Sequence, residues 1–276
     1  MNESERNYLI SKLKQECKVH YFKNRLSGKN PIDMNDIELM CFVDKYKLDL
    51  LYATVLNDCT LKFLTIRNKF KEAKIPQDVL DILERLLAVS PESYLVGGCT
   101  RDIILGETPK DYDFVTDISY ERLKELFPEC KFKETGTEFL VFNLNYNGEN
   151  YEIANFRKDS NKSDGRKPDS VEVGTIEEDQ KRRDFHVNTI AWNPNELVIT
   201  IDAVDDILER KLRFVGSPEQ RLKEDTLRGI RFYRILKTKN LIPDTESLKA
   251  VRRNWSDIIS SNEHRIMLEI EKICLS

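Results

Sequence analysis

The sequence predicts an α+β fold, on three observations. Apolar residues recur at helical spacing before about residue 90 and again after about residue 212. Between those stretches lie short strand-like runs, one pair of them joined by a hairpin signal. The 276 residues, 40% hydrophobic and 33% charged, make an ordinary globular composition with a core of useful size. The expected architecture is a small mixed antiparallel sheet with an N-terminal helical extension and a helical C-terminal part.

The elements follow in order. Residues 1–75 read as helical: Asp33 caps a helix through Ile37, Met40 and Val43, and a second helix runs from about Leu48 to Lys71. Pro76 opens the next helix at its first turn, where a missing N–H costs little. Val79, Leu80, Leu83, Leu86 and Leu87 form its apolar stripe, and Pro91 ends it. YLVGG (Tyr94 to Gly98) reads as a short buried strand entering a glycine turn. A helix through Ile104 and Leu105 follows, ended by Gly106. DYDFV (Asp111 to Val115) alternates as a strand, and Glu121 to Phe127 is helical. FLVFNLNY (Phe139 to Tyr146) and YEIANF (Tyr151 to Phe156) flank an Asn147-Gly148 turn, a strong hairpin pattern. Residues 158–180 are polar and carry a glycine and a proline, so they read as a mobile loop. A helix from about Arg182 to Trp192 and a strand, LVITID (Leu197 to Asp202), come next. Beyond Leu212 the pattern gives helices from Pro218 to Lys239, from Asp244 to Asn254, and to Ile273.

Composition narrows the function classes. No apolar run approaches the ~20 residues of a membrane span, and MNESERNYLI lacks the apolar stretch of a secretory signal, which predicts an intracellular, cytoplasmic protein. Six scattered cysteines without a C-x-x-C pair read as reduced thiols, and three separated histidines do not favour a zinc site. The net charge of −4 does not advertise nucleic acid. Leu208 to Arg253 nevertheless holds thirteen Lys/Arg against six Asp/Glu. Such a face can hold phosphates, although a solvated helix face explains it equally simply.

The chemistry-bearing residues cluster in the middle of the chain. Gly97-Gly98 after a strand would let backbone N–H groups approach phosphate oxygens at a helix N-terminus; alone, it is an ordinary tight turn. Asp111 and Asp113, two apart on a strand, would project to one face and suit a Mg²⁺ pair about 4 Å apart. A lone D-x-D is more often a solvated loop. Glu152, on the second hairpin strand, is either a third carboxylate or a surface glutamate. KRRDF (Lys181 to Phe185) sets two guanidinium groups and a carboxylate at the start of a helix, and arginine suits triphosphate. Asp225 and Arg228 lie three apart on one helix face; in isolation they read as an intrahelical ion pair.

Together these residues resemble the class II nucleotidyltransferases, the family of tRNA CCA-adding enzymes and bacterial poly(A) polymerases. LVGGCTRDIILGETPKDYDFVT is similar to the family's G-G-x-x-R-D…D-x-D motif. FRKDSNKSDGRKPDSVEVGTIEEDQKRRDFHVNTIAW is similar to its flexible loop and R-R-D-F motif. EDTLRGIRFYRIL resembles E-D-x-x-R-x-x-R-F, and SSNEHRIMLEIEKIC resembles the end of the family's neck. The resemblance implies a polymerase-β-like nucleotidyltransferase head at 76–215 and a helical neck at 216–276, with 1–75 as an extension and the body and tail domains missing. It implies that Asp111 and Asp113 hold Mg²⁺, with Glu152 as the third catalytic carboxylate. Gly97, Gly98 and Arg101 would contact triphosphate. Arg183 and Asp184 would bind the nucleotide and its ribose hydroxyl. Asp225 and Arg228 would pair with the base of CTP or ATP, and Arg231 would join the nucleotide site. The implied reaction is two-metal nucleotidyl transfer to an RNA 3′ end, most simply tRNA, with release of pyrophosphate. ETGTEFLVF (Glu134 to Phe142) resembles a segment of CCA-adding members; the alternatives are poly(A) addition, addition of C or A alone, or RNA binding without catalysis. The sequence departs from the family at His186 and Lys162, where the family carries Thr and Tyr, and at DAVDDI (Asp202 to Ile207), a turn without its glycines. Oligomeric state is not readable.

Overall fold

The computed structural model describes residues 50–129, 131–133, 141–159 and 171–274. The expected helix around Ile37 to Val43, the Glu134–Leu140 part of the ETGTEFLVF segment and Lys162 lie outside these residues. The described chain is α+β. Helices α1 (Leu50–Glu72) and α2 (Gln77–Val89) lead into β1 (Ser93–Val96), α3 (Gly98–Leu105), β2 (Asp113–Thr116) and α4 (Tyr120–Leu126). Strands β3 (Lys131–Lys133), β4 (Val141–Tyr146), β5 (Glu149–Asn155), β6 (Arg157–Asp159) and β7 (Val171–Val173) follow, then α5 (Ile176–Arg182), β8 (Ala191–Trp192), β9 (Leu197–Val198), α6 (Ile201–Leu208) and β10 (Lys211–Leu212). The C-terminal part comprises α7 (Pro218–Glu224), α8 (Leu227–Lys239), β11 (Ile242–Pro243), α9 (Thr245–Arg253), α10 (Trp255–Ile259) and α11 (Glu263–Cys274).

Seven strands form the main sheet in the order β3-β4-β5-β2-β1-β8-β9. All its described pairings are antiparallel except β2–β5. The hairpin turns where the sequence places it: Asn147 and Gly148 both take positive φ, 51° and 92°, the geometry of a type I′ turn. One face of the sheet, carrying Leu95, Phe114, Leu144 and Ile153, is covered by Val79, Ile82, Leu83 and Leu86 of α2. Phe63, Ile66 and Phe70 of α1 enter the same core, and Phe70 stacks on Trp192 with ring centroids 4.9 Å apart. The opposite face carries Tyr94, Val96 and Val115, covered by Ile176 of α5 and Phe156. Among the described residues no helix is long and apolar enough to cross a membrane.

Four readings of the sequence are corrected. Residues 158–180, read as a loop, include the β6–β7 pair and α5. Helix α5 begins with a capping box in which Thr175 accepts from Glu178 N–H and the Glu178 carboxylate accepts in return. The helix expected from Arg182 to Trp192 is absent. Arg183 is extended, and Asp184 Oδ1 accepts from the N–H of Phe185 at 2.8 Å. Such a local side-chain bond competes with helix propagation, and a single 3₁₀ turn, His186–Asn188, follows. DAVDDI, read as a turn, is most of α6, capped by Thr200. The single helix from Pro218 to Lys239 is two, because Asp225 is extended and its carboxylate accepts the N–H of Leu227 at 3.1 Å.

Candidate active site

The carboxylates sit where the exposed end of the second sheet face meets the β1–α3 turn. Asp113 opens β2 and stands in direct register with Glu152 on the parallel strand β5. Register partners share a face, so these two acidic side chains are neighbours while Phe114 and Ile153 go into the core. Asp111 lies just ahead of the strand, not within it as read from the sequence, and is exposed. The alternation survives, with Tyr112 buried between the two aspartates.

Gly97 is the floor of this site. Its φ of 79° lies in the left-handed region. A Cβ there would approach Arg183 Nη1 to 3.3 Å and Asp113 Oδ2 to 3.6 Å. The bare backbone therefore leaves room for both a guanidinium and a carboxylate beside it. Gly98 begins α3, with the Arg101 guanidinium 3.5 Å from where its Cβ would be. Burial pushes the Asp113 carboxyl up to about 6, and Glu152 and Asp111 add to the rise while Arg183 opposes it. Three acids share one region with little compensating charge, an arrangement that favours a cation.

Among the described residues no three side chains stand ready as a metal cage. Mg²⁺ needs no such cage, because it commonly binds through one or two carboxylates plus waters and substrate phosphates. Hard oxygen donors at Asp111 and Asp113 match it, and Glu152 adds charge beside them.

The second half of the site hangs on α5, the 3₁₀ turn and α8. KRRDF falls at the end of a helix, not at its start: Lys181 and Arg182 close α5 and Arg183 is its C-cap. Arg183 Nε donates to Asp179 at 2.9 Å, and Arg182 donates to the same buried carboxylate. Burial opposes ionisation of Asp179, but the Arg183 and Arg182 guanidinium groups outweigh it and hold the carboxyl below its ordinary range. Asp184 accepts from Asn188 Nδ2 at 2.9 Å and lies 4.0 Å from Arg231. Arg231 also lies 3.5 Å from Glu269 of α11, whose other oxygen accepts from Arg234 at 2.6 Å. Arg101 is 6% exposed and donates to Asp102 and, at 2.9 Å, to Asn188. It is engaged inside the protein rather than displayed toward a triphosphate.

Asp225 and Arg228 do not share a helix face, because Asp225 sits in the break between α7 and α8. Arg228 donates to Glu224 at 2.7 Å and to the carbonyls of Arg221 and Arg182. Asp225 lies 3.7 Å from Arg265. Three aromatic residues, two of them from these motifs, explain how the halves are joined. Phe185, Phe214 and Phe232 are all buried, with ring centroids 4.8, 6.0 and 5.6 Å apart. Burying each contributes roughly 2–3 kcal/mol and fixes α8 against the Arg183–Asp184 segment. Gly229 admits Ile258 of α10, whose Cγ1 would lie 2.9 Å from an added Cβ.

Sequence reasoning missed Asp179, Asn188, Glu224 and Glu269. Thr175-x-x-Glu178 is a helix-start signal that would have placed Asp179 one turn inside a helix. The bond from Asn188 to Asp184 spans only four residues, but its Arg101 partner lies 87 residues away and the Arg234 partner of Glu269 lies 35 away, beyond any local signal.

Residues 93–213 match the model of the poly A polymerase head domain. The chain is 34% identical over 198 residues to the CCA-adding enzyme of Lactobacillus delbrueckii subsp. bulgaricus, covering 71% of this chain and 50% of that protein. It is 33% identical over 213 residues to the CCA-adding enzyme of Lactococcus lactis subsp. cremoris, covering 74% and 52%. The chain thus spans about half the length of these curated relatives. The crystal structure of Bacillus stearothermophilus CCA-adding enzyme in complex with CTP aligns with a TM-score of 0.63 at 29% identity, over 71% of this chain and 48% of that one. Residues 93–213 of this chain are thus similar to the poly A polymerase head domain, and a stretch of about 200 residues is similar to one half of the CCA-adding enzymes.

Proposed function

We propose that this chain is an RNA 3′-terminal nucleotidyltransferase that adds C and A, from CTP and ATP, to the 3′ end of tRNA in the cytoplasm. One observation carries the proposal: Asp113 and Glu152 stand in register beside the Gly97 turn, with Arg183 at the same glycine, inside a segment that matches the poly A polymerase head domain. We divide the chain into a helical extension at 1–75, a catalytic head at 76–215 and a neck at 216–276.

In this reading Asp111 and Asp113 hold Mg²⁺, and Glu152 deepens the negative potential beside them. Bound there, Mg²⁺ supplies Lewis-acid polarisation of the α-phosphate and a lowered pKa for the RNA 3′-hydroxyl. The rest is positioning, which dominates phosphoryl and nucleotidyl transfer. Gly97 and Gly98 leave room for phosphate oxygens to reach backbone N–H groups at the start of α3. Arg183 contributes positive charge toward the triphosphate, and Asp184 accepts a hydrogen bond from the ribose hydroxyl. Arg228 and Asp225 present donors and an acceptor to the base edge, Arg228 being held by Glu224. Arg231 flanks Asp184. Arg101 acts from behind, through Asn188.

The test is to sequence the 3′ ends of tRNA lacking CCA after incubation with the protein, MgCl₂ and all four NTPs. Ends of CCA, together with their loss in Asp113→Ala by roughly 10³-fold or more, are the expected result. Long A tails would make the protein a poly(A) polymerase, and C or A alone a partial enzyme. Unextended ends with wild-type protein would overturn the reading.

A further inference from the structure

We infer that Asn188 is a positioning residue that presets Asp184 for recognition of the ribose, coupling it to the buried Arg101 behind the glycine turn. The inference rests on the proposed role of Asp184 and extends it to a residue outside that set.

Asn188 makes three contacts that point in different directions. Its Oδ1 accepts from Arg101 Nη1 at 2.9 Å. Its Nδ2 donates to Asp184 Oδ1 at 2.9 Å. Its backbone carbonyl accepts from Arg183 Nη1 at 3.4 Å. The two side-chain bonds fix the amide orientation without ambiguity, since a cation lies on one side and a carboxylate on the other. The Asn188 amide accepts from a guanidinium with its oxygen and donates to a carboxylate with its nitrogen. A carboxylate at this position would repel Asp184, and an apolar side chain would leave Arg101 and Asp184 each short of a partner.

The anchor is rigid. Arg101 is 6% exposed and also grips Asp102, and Asp102 accepts from Lys239 of α8 at 2.9 Å. Asp184 Oδ1 is thus occupied by the Asn188 amide and the Phe185 N–H, which leaves Oδ2 to face Arg231 and a ligand. The chain Lys239–Asp102–Arg101–Asn188–Asp184 sets which carboxylate oxygen is offered before a nucleotide arrives, a form of preorganisation.

The experiment measures binding of CTP and dCTP to the RNA-free protein in MgCl₂ by calorimetry, alongside steady-state addition to tRNA. In Asn188→Ala the expected result is about tenfold weaker CTP binding with dCTP little changed, so that discrimination between the two collapses. KM for CTP rises while kcat stays within about threefold. Asp184→Ala loses the same discrimination, and the double variant loses no more than either single one. In Asn188→Asp, CTP binding is weak at pH 8 and recovers near pH 6, where a proton shared between the two carboxylates restores a donor; neither wild type nor Asn188→Ala shows that recovery. Equal weakening of CTP and dCTP in Asn188→Ala, or a fall in thermal stability with discrimination intact, overturns the inference. Should Asn188→Ala fail to fold, the pH response of Asn188→Asp decides, and a flat response overturns it. Full discrimination retained in Asp184→Ala would instead overturn the ribose reading of Asp184 itself.

Discussion

The two groups of charges that meet at Gly97 resolve electrostatics in opposite ways. At the sheet, Asp113, Glu152 and Asp111 crowd together, and Asp113 holds its proton up to about pH 6 because burial and its acidic neighbours disfavour the charge. Around the Arg183–Asp184 segment the acids have partners: Asp179 between Arg182 and Arg183, Asp184 between Asn188 and Arg231, Glu269 between Arg231 and Arg234. The contrast teaches that the two halves are prepared for different arrivals. The crowded carboxylates reach a favourable state when a cation joins them. The paired groups are already in place and lose nothing by waiting.

The largest test strikes the paired side. Asp179→Ala removes a fully buried carboxylate from between two guanidinium groups, and the expected cost is about 3 kcal/mol, read as a lower urea midpoint. A change within ~0.5 kcal/mol would mean that the pairing is not structurally important. Gly97→Ala probes the boundary itself. Forcing a side chain to a φ of 79° costs about 1–2 kcal/mol, and the methyl group presses on Arg183 Nη1; nucleotide affinity falls with stability, and calorimetry reads both. The smallest effect lies on the crowded side and has the opposite sign. The folded carboxyl of Asp113, at about 6, lies above its ordinary 3.8, so its stability contribution improves as pH falls from about 6 toward 4 and is a penalty above 6. Without divalent metal, Asp113→Asn therefore raises stability by roughly 1 kcal/mol at pH 7.5, and the difference fades near pH 4. Added MgCl₂ stabilises wild type and not the variant. A variant less stable than wild type at pH 7.5 would remove the crowding argument.

Much of this was legible in the sequence, for identifiable reasons. The α2 stripe, the glycine turn, the hairpin and the α+β class follow from local periodicity and turn chemistry, which act over a few residues. Asp113 and Glu152 were visible as acids at strand positions, but their register is a parallel pairing between strands 39 residues apart, which no local pattern encodes. The segment from Arg183 to Trp192 was misread because its side chains cap and bridge backbone that would otherwise propagate a helix. The break at Asp225 has the same origin, which is why Asp225 and Arg228 do not occupy one helix face. Polar composition made residues 158–180 look like a loop, although Thr175 and Glu178 announced α5.

Helix α1 lies entirely outside the matched segment at 93–213, yet Phe63, Ile66 and Phe70 complete the wall behind the sheet, and Trp192 has an α1 ring as its stacking partner. The limits by which the domain is recognised are therefore not limits at which the polypeptide can be severed. A version started at Pro76, where the sequence invites a cut, would leave that wall bare to solvent. Any transfer of this head to another protein must carry the upstream helix along, because the domain depends on it for part of its own interior.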